Sequence, residues 1–452
     1  MKQQTQLTRR KFVGGMATSV AAFSIVPSHV LGANPPSSKL NIAVIGSGGR
    51  GRANINGCRS ENIVALCDVD DIRAARSFEE YPKAKRYKDF RIMMDDMDKS
   101  IDAVIVATPD HTHAVAAMRA IKMGKHVYCE KPLAHSLGEV RRLTEAARQQ
   151  GVQTQMGNQG HSSEQIRRVC EWIWDGAIGD IREVHTWSSR PSGGAAFAVN
   201  MKRPTDRPPV PEGLDWDLWL GPAQYRPYHP AYLPFKWRGW LDFGSGALGD
   251  MGCHILDPTV WAMKLDQVDT IAIEATTTHF DEEIMNETFA VASIVRFEFP
   301  ARGSMPPLKL TWSDGRLRPP RPDDMELKRY YRSEGAIFMG EKGNILHGSH
   351  GASGARIVPE TKMKAYEANL PPKSLPRSQG HHKDWILACK GGKPASANWD
   401  FGGPLTELAL LGMLAMRRQN RKLIWDVKAM RITNDEEANQ YVDPAYRQGW
   451  TL

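Results

Sequence analysis

The sequence predicts an α/β fold in two parts: a parallel sheet covered by helices on both faces, then an α/β domain with a large, mostly antiparallel open sheet. Short apolar runs alternate with helical segments as far as residue 157, which is the pattern of consecutive strand–helix–strand units. Beyond residue 265 the strand-like runs are longer and follow one another with few helices between them. That second pattern favours antiparallel pairing.

The individual elements follow from the same patterns. Ser136 with Glu139 three residues later is a capping-box pattern, and Gly151 is a typical stop for the helix between them. A second capping-box pattern, Ser162 with Gln165, predicts a helix that ends near Gly176. The predicted strands are 40–45, 62–67, 103–107, 126–129 and 152–156 in the first sheet, and 181–188, 270–279, 288–299, 308–312 and 336–339 in the second. The predicted closing helices are 382–389 and 404–418.

The first 33 residues have the pattern of an export signal. Arg9 and Arg10 form a twin-arginine pair, an apolar run follows from Phe12 to Val26, and a small-residue site lies at residues 31–33. The apolar run is short for a membrane span. A signal that stays uncleaved as an anchor is an alternative, and so is an ordinary N-terminal helix. We expect the twin-arginine export machinery as a partner and a periplasmic or otherwise exported location.

These patterns predict four segments along the chain: a signal peptide at 1–33, a linker at 34–38, a first domain at 39–157 and a second domain at 158–452. The signal carries four basic residues and no acids, so its removal lowers the formal net charge from +8 to +4. No Lys/Arg run is interleaved with aromatic residues, which argues against nucleic acid as a partner. The six cysteines are scattered without metal-ligand spacing, and we expect buried thiols and no metal.

A glycine-rich loop follows the first predicted strand. Gly46, Gly48, Gly49, Arg50 and Gly51 precede a helical segment, and such glycines allow a tight turn and close approach of the backbone to a pyrophosphate. The second predicted strand ends at Asp68. An acid there can bind the ribose hydroxyls and would repel a 2′-phosphate. The first domain is therefore predicted to be a Rossmann domain that binds NAD, with NADP less favoured.

Two further loops at strand ends are predicted to line the cofactor, because the carboxyl ends of parallel strands face the ligand crevice. The first contains Thr108, Pro109, Asp110 and His113. His111 and His113 alternate on this turn, a spacing more typical of a cap or a packed ring than of a metal site. The second loop is Glu130-Lys131-Pro132, from which Lys131 would point towards the nicotinamide.

Asp250 and His254 are spaced as neighbours on one face of a helix. An acid one turn from a histidine can orient the ring and support its protonated form, which suits a general base that takes a hydroxyl proton. A helix-capping aspartate with a core histidine is the alternative. Pro258 cannot donate to the carbonyl of His254, so the helix is expected to loosen there.

Four motifs follow one another along the chain: the glycine loop, the loop that contains Thr108, the Glu130-Lys131-Pro132 loop and the Asp250…His254 segment. Together, in this order, they resemble the glucose–fructose oxidoreductase / inositol dehydrogenase / rhizopine-catabolism (Gfo/Idh/MocA) family over about residues 40 to 265. The resemblance implies a Rossmann domain, an α/β domain with a large open sheet, and oxidation or reduction of a sugar or polyol hydroxyl by bound NAD(P). It implies that Lys131 is the catalytic lysine, that Asp250 and His254 are the acid–base pair, and that the protein is a homo-oligomer. Asn158, His161, Trp237 and Arg238 are candidate residues for binding a carbohydrate substrate.

Export bears on the activity, because the compartment outside the inner membrane has no obvious pool of soluble nicotinamide nucleotide. We therefore expect an exported NAD-dependent oxidoreductase with a tightly bound, internally recycled cofactor. A redox-neutral NAD-dependent glycosidase is one alternative, although the Asp250…His254 motif favours simple dehydrogenase chemistry. A non-catalytic carbohydrate-binding protein that contains NAD is another, and the set of Lys131, Asp250 and His254 counts against it.

Overall fold

A computed structural model of the protein describes residues 39–191 and 197–452. The predicted signal peptide, residues 1–33, and the linker, residues 34–38, lie outside the described residues. Residues 40–452 form one unit, which contains two sheets.

The first sheet has six strands, all parallel, in the order β3-β2-β1-β4-β5-β6. The strand order reverses between β1 and β4, and in such sheets ligands bind in the crevice at the carboxyl ends of these strands. The four residues of β4 are all buried, as expected for a strand covered by helices on both faces. The strands are β1 Asn41–Ile45, β2 Asn62–Cys67, β3 Lys85–Tyr87, β4 Ala103–Val106, β5 His126–Cys129 and β6 Thr154–Met156.

Helices connect these strands and begin at recognisable caps. The Ser136 side chain accepts a hydrogen bond from the Glu139 backbone, Glu139 returns one to the Ser136 backbone, and Gly151 ends the helix with φ 64°; the capping box and the glycine stop are confirmed. The next helix differs from the prediction, because its N-cap is Ser163 rather than Ser162 and residues Gln159–Ser162 form a 3₁₀ turn. The helices up to this point are Gly49–Gly57, Asp71–Glu80, Phe90–Asp96, Asp110–Lys122, Leu137–Gln150 and Glu164–Trp174.

The second sheet has nine strands in the order β13-β12-β11-β7-β10-β9-β8-β14-β15. All neighbours are antiparallel except β7 and β10, which run parallel. The fold class predicted from the sequence is confirmed. The strands are β7 Ile181–Trp187, β8 Thr270–Thr277, β9 Ser293–Phe299, β10 Leu308–Ser313, β11 Gly335–Gly340, β12 Gly343–Gly348, β13 Arg356–Val358, β14 Leu423–Asp426 and β15 Arg431–Ile432.

One long helix, Trp399–Arg417, connects the two sheets. It begins five residues before its predicted start at Pro404, because Asn398 caps it by accepting a hydrogen bond from the Asp400 backbone. Its leucine-rich face is buried against β8 and against the helix Leu137–Gln150. The other helices of this region are Trp216–Leu220, Cys253–Ile255, Asp257–Ala262, Glu282–Met285, Glu360–Glu367 and His381–Cys389, with a π-helical turn at Leu248–Gly252. Further 3₁₀ turns lie at Asp98–Ser100, before β4, and at Lys236–Gly239 and Glu436–Tyr441.

Residues 197–245 of the irregular stretch pack around their own aromatic rings. Trp216 and Trp219 stack with centroids 4.8 Å apart, and Tyr232 packs edge-on against Trp240 at 4.8 Å. The guanidinium of Arg226 lies over the ring of Tyr232 and forms an ion pair with the carboxylate of Asp242. These contacts form a separate small core that fixes the loops before the Asp250 segment.

The six cysteines are all free, and five of them are buried, in agreement with the sequence analysis. In the part of the chain that the structure describes, no group of histidine, cysteine or acidic side chains is arranged to hold a metal ion. None of the described helices combines the length and the apolar character that a membrane crossing requires.

Candidate active site

The glycine loop after β1 has a geometry that side chains would disrupt. Gly46 and Gly49 have φ angles of 81° and 49°, a region that residues other than glycine rarely adopt. A Cβ on Gly51 would overlap the Gly46 carbonyl oxygen, and one on Gly48 would lie 2.7 Å from the backbone oxygen of Arg73. The loop thus brings β1, the helix Gly49–Gly57 and the helix Asp71–Glu80 into close backbone contact.

Asp68 lies beside this loop, at the end of β2. Its Oδ2 accepts a hydrogen bond from the Gly48 backbone at 2.9 Å and its Oδ1 accepts one from the Asp70 backbone at 3.0 Å. Burial raises the pKa of Asp68, and the two backbone bonds oppose that shift. The side chain remains partly exposed, so a ligand bound at the loop would meet its carboxylate.

Two hydroxyl groups at the crevice are buried without a hydrogen-bond partner among the described residues, Ser47 Oγ in the glycine loop and Thr108 Oγ1 after β4. A buried polar atom without a partner is costly unless something else satisfies it. The glycine loop, the Asp68 carboxylate and these two hydroxyls are therefore a set that fits a dinucleotide.

A histidine side chain fixes the loop after β4. His113 lies within hydrogen-bond distance of two backbone carbonyls, Nδ1 at 2.8 Å from Pro132 O and Nε2 at 2.9 Å from Thr108 O. These contacts hold the loop against the turn at Pro132, and contact of His113 with the cofactor stays a prediction. Asp110 accepts a hydrogen bond from Ser245 Oγ at 2.7 Å, and Pro109 is the N-cap of the helix that begins there.

Glu130 follows β5 and lies at the centre of a buried cluster. Its Oε1 accepts hydrogen bonds from Arg50 Nε at 2.9 Å, from Asn54 Nδ2 at 2.9 Å and from Gln159 Nε2 at 3.1 Å. A Cβ on Gly157 would meet the same carboxylate at 2.6 Å. Glu130 therefore fixes the helix after the glycine loop and leaves Arg50, which is half exposed in its side chain, at the crevice.

Lys131 and Asp250 are brought together from positions 119 residues apart. Lys131 Nζ donates to the Asp250 backbone oxygen at 2.8 Å and to its Oδ1 at 2.9 Å. The Lys131 side chain is 13% exposed and that of Asp250 is 5% exposed. The charged groups of the predicted catalytic set therefore meet in a largely desolvated place, where electrostatic interactions are strong.

Two arginines complete the environment of Asp250. Arg238 Nε lies 3.1 Å from Oδ1, and Arg190 forms an ion pair with Oδ2. Burial alone would raise the pKa of Asp250, but Lys131, Arg238 and Arg190 together hold it well below its usual value. Asp250 is therefore a permanent carboxylate at neutral pH and the anchor of three cations.

His254 lies one turn further on, and its environment differs from the prediction. Cations occupy both carboxylate oxygens of Asp250, and its charge favours an imidazolium at His254 less than burial and Lys131 oppose one. Burial first, and then the charge of Lys131, lowers the pKa of His254 well below its ordinary value, so the ring is neutral and able to accept a proton. Its Nδ1 is buried with no hydrogen-bond partner in the described chain. The expected loosening before Pro258 is confirmed, since Leu256 separates two short helices.

The four predicted substrate residues divide into two pairs. The guanidinium of Arg238 lies over the rings of Phe235 and Trp237, at 3.6 Å and 4.1 Å from their centroids, so Trp237 and Arg238 are at the site. Asn158 and His161 lie in the interior, 0% and 1% exposed, and both bond to Asp257 at 3.0 Å and 2.8 Å. The 3₁₀ turn that contains His161 packs against the helix that contains His254, and a substrate role for Asn158 and His161 stays a prediction.

The sequence analysis missed three residues near this cluster: Arg190, Glu334 and His350. Arg190 follows the end of β7, and a basic residue at a strand end was the only available signal for it. Glu334 precedes β11 and His350 follows β12, in a region where no pattern marked a site. The histidine pair His381-His382 lies at the start of the helix His381–Cys389. Gly380 is the N-cap, His381 bonds to the Met156 carbonyl, and His382 stacks on Tyr128.

Comparison with known proteins places this arrangement in a family. Residues 40–158 match the Gfo/Idh/MocA description "oxidoreductase family, NAD-binding Rossmann fold", and residues 194–293 match its "C-terminal alpha/beta domain". The chain belongs to the Gfo/Idh/MocA oxidoreductase family. The match confirms the predicted Rossmann domain and NAD as its dinucleotide.

Individual relatives are distant. The chain is 24% identical to levoglucosan dehydrogenase of Pseudarthrobacter phenanthrenivorans, over 48% of the chain and 50% of that enzyme. It is 31% identical to inositol 2-dehydrogenase of Salmonella typhimurium, over 27% of the chain and 37% of that enzyme. The chain thus spans half or less of the length of these curated relatives.

Solved structures agree on the fold over a longer stretch. Levoglucosan dehydrogenase in complex with NADH aligns with a TM-score of 0.54 at 18% identity, covering 84% of this chain and 98% of that one. The inositol dehydrogenase homologue from Azotobacter vinelandii, complexed with NADH and myo-inositol, aligns with a TM-score of 0.54 at 15% identity, covering 87% and 99%. At these sequence identities the alignments establish only the two-domain fold.

Proposed function

We propose that the protein is an exported NAD-dependent oxidoreductase that acts on a hydroxyl group of a sugar or polyol. The observation that carries the proposal is the cluster of Lys131, Asp250 and His254, placed at the end of β5 beside a glycine loop that fits a dinucleotide. A neutral imidazole and an ammonium group side by side are what removal of a hydroxyl proton requires. The relatives named above are dehydrogenases of an anhydrosugar and an inositol, which supports the substrate class.

Each side chain has a distinct task in this proposal. Lys131, held by Asp250, donates a hydrogen bond to the reacting oxygen and stabilises negative charge on it. His254 accepts the hydroxyl proton at one ring nitrogen. The rings under Arg238 form an aromatic wall on which the sugar packs, and its guanidinium donates to sugar hydroxyls.

The residues that would hold NAD are those of the crevice. The glycine loop receives the pyrophosphate at the start of the helix Gly49–Gly57, and Asp68 accepts hydrogen bonds from the ribose hydroxyls. When bound, the nicotinamide supplies the hydride acceptor or donor.

Export and retention of the cofactor are part of the proposal. The pair Arg9-Arg10 before an apolar run supports twin-arginine export of the folded protein. In a compartment without a nucleotide pool, a resident NAD must be recycled in place, by a second substrate or within one reaction cycle. We also propose that the protein is a homo-oligomer, on the resemblance alone.

The first test measures the resident dinucleotide. The mature protein, purified without added nucleotide, is denatured, and the released dinucleotide is identified and quantified by mass spectrometry. We expect about one NAD(H) per chain. The same preparation is then assayed against a panel of sugars, glycosides, anhydrosugars and inositols by following NADH absorbance and the release of any aglycone.

The outcomes separate the alternatives. Bound NAD with turnover supports the oxidoreductase. Bound NAD without turnover of any compound favours a carbohydrate-binding protein that contains NAD. Loss of an aglycone from a glycoside with no net change in NADH favours the redox-neutral glycosidase. A protein that neither carries NAD nor binds it when it is added would refute the proposal.

Replacing Asp68 by serine is expected to relax the preference for NAD over NADP by at least about tenfold. At about 4 Å two like charges repel by about 4 kcal/mol in an effective dielectric of about 20, and a tenfold change needs only about 1.4 kcal/mol. The Arg73 guanidinium, close to Gly49 and to Asp68, is then free to attract a 2′-phosphate. The measurement is the ratio of dissociation constants for NADPH and NADH on protein stripped of its cofactor.

Asp71→Ser is the matched control for this experiment. It removes an equal charge three residues away, and Asp71 is exposed and pairs with Lys88 on the surface. We expect its NADPH/NADH ratio to equal that of the wild type. An unchanged ratio in Asp68→Ser as well would remove Asp68 from the ribose site.

A further inference from the structure

The ring of His350 packs face to face against the buried ring of His254. The centroids are 4.2 Å apart and the planes differ by 24°. His254 is 5% exposed, whereas His350 is exposed to solvent. Of these two imidazoles, His350 is the one that bulk water reaches.

The hydrogen bonds of His350 define which of its nitrogens carries the proton. Ser349 Oγ lies 2.8 Å from His350 Nδ1 and 3.2 Å from Glu334 Oε2. The hydroxyl has one proton, and a carboxylate oxygen can only accept, so Ser349 donates to Glu334 and accepts from Nδ1–H of His350. Nε2 of His350 therefore keeps its lone pair and is the basic nitrogen.

The loop that carries His350 is held in an uncommon conformation. His350, Gly351 and Ala352 have φ angles of 56°, 80° and 58°, and two of these three are not glycine. Ser163 Oγ donates to the Gly351 carbonyl at 2.7 Å, and the Gly348 backbone donates to Ser353 O at 2.8 Å. Such backbone strain persists where the surroundings impose it, and it is concentrated at functional sites.

We propose that His350 is the proton-exchange residue of this site, which passes to solvent the proton that His254 takes from the substrate. The inference rests on the proposed function. The substrate O–H bond breaks and its proton bonds to His254, while the carbon is oxidised and its hydride reduces NAD⁺. The proton then leaves the His254 imidazolium through one water or substrate hydroxyl, because stacked rings do not align N–H with a lone pair. It reaches Nε2 of His350 and then bulk water; reduction runs the same path in reverse.

The charges around His350 suit a group that does not keep its proton. Glu334, Lys131, Arg190, Asp250 and His254 all face it. Partial burial of the His350 ring is the main reason that its pKa is lowered. Lys131 and Arg190 lower the pKa further, while Glu334 and Asp250 raise it. An imidazole of this kind accepts a proton briefly and releases it at neutral pH.

The test follows hydride transfer and proton release separately in a single turnover. Holoenzyme is mixed with a substrate in weak buffer containing a pH-indicator dye, and NADH absorbance and dye colour are recorded in the same stopped-flow experiment. In the wild type we expect both signals to rise together. In His350→Phe, which keeps a ring on His254, we expect proton release to lag at least about tenfold behind hydride transfer and added imidazole to abolish the lag.

Two further variants keep the result interpretable. His350→Asn suits the left-handed backbone and should show the same lag if the phenylalanine variant does not fold. His229→Phe changes a histidine of the aromatic loop region, bonded to Asp206, and should behave as the wild type. Simultaneous signals in a folded His350 variant, or a lag that imidazole does not shorten, would overturn the proposal.

A second readout does not need turnover. In ¹⁵N-histidine-labelled full-length protein, the His350 resonance, assigned by its loss in His350→Asn, should report the Nδ1–H tautomer, and Ser349→Ala should shift it towards a tautomer mixture. The Nε2–H tautomer in the wild type would contradict the inference. The expected tautomer in a protein that turns over no compound would instead count against the proposed function.

Discussion

Lys131→Met is expected to lower the turnover number by about 10²–10³-fold, the usual effect of removing one hydrogen-bond donor to a reacting oxygen. The variant should fold and retain NAD, because the Asp250 carboxylate still pairs with Arg190 and Arg238 and methionine fills the volume of the lysine stem. The Michaelis constant should change little, since the lost interaction strengthens in the transition state. The measurement is steady-state kinetics with a sugar or polyol that the wild type turns over.

Lys125→Met is a closely matched control. Lys125 Nζ also donates to the backbone oxygen and to the carboxylate of a single aspartate, Asp98, at 2.6 Å and 2.9 Å, and its side chain is also 13% exposed. It lies at the opposite, amino end of β5. Both variants therefore remove a similar ion pair, and only Lys131→Met should lose turnover. Equal activities would mean that Lys131 is a structural lysine.

The first sheet could be predicted from the sequence because each of its main strands is a short apolar run. The strands 62–67 and 126–129 were predicted at their observed bounds. The strand β3, Lys85–Tyr87, was missed because it is three residues long and contains no aliphatic side chain. The strands β12 to β15 were missed for a related reason. Each begins or ends with glycine or a charged residue, and three of them have four residues or fewer. Pairing with neighbours along the sheet, rather than local propensity, forms them.

The candidate site shows where local patterns stop being informative. Lys131 and Asp250 were identified from motifs, but the i,i+4 spacing suggested that Asp250 acts on His254. In the structure the carboxylate also pairs with the nearby Arg238 and with Lys131 and Arg190, which are 119 and 60 residues away in the sequence. His350 could not be predicted, because it reaches His254 through a loop held by its contacts with Ser163 and its own backbone. Tertiary packing determines which charges meet, and one sequence does not contain that information in local form.

Asp250→Asn is expected to destabilise the protein by about 3–5 kcal/mol, the usual cost of removing one partner from a buried charge network. Lys131, Arg190 and Arg238 would then lie close together around a neutral amide, two of them with side chains less than one-fifth exposed. Turnover should also fall sharply, since the Lys131 ammonium would lose the carboxylate and keep only its bond to the Asp250 backbone oxygen. The measurements are urea unfolding of the NAD-loaded protein and steady-state kinetics.

Asp435→Asn is the control, because the side chain of Asp435 is also only 8% exposed and also pairs with arginines, Arg418 and Arg421. It lies in the loop before the 3₁₀ turn Glu436–Tyr441. We expect it to lose stability but keep full turnover. A stable, inactive Asp250→Asn would show that the carboxylate acts in catalysis without supporting the fold. A stable, active variant would show that the cation cluster does not depend on it.

The contribution of Asp250 to the free energy of unfolding is expected to decrease at low pH. The pKa of Asp250 is lower in the folded protein than its ordinary value, and an aspartate in an unfolded chain titrates near about 3.9. The carboxylate therefore contributes its full stabilisation above about pH 4 and loses it as the pH falls through the lowered folded value. The difference in unfolding free energy between wild type and Asp250→Asn should be constant from pH 7 to 5 and should narrow below about pH 4. A difference that grows on acidification would mean that Asp250 is protonated more readily when folded, and that the three cations do not hold it as a carboxylate.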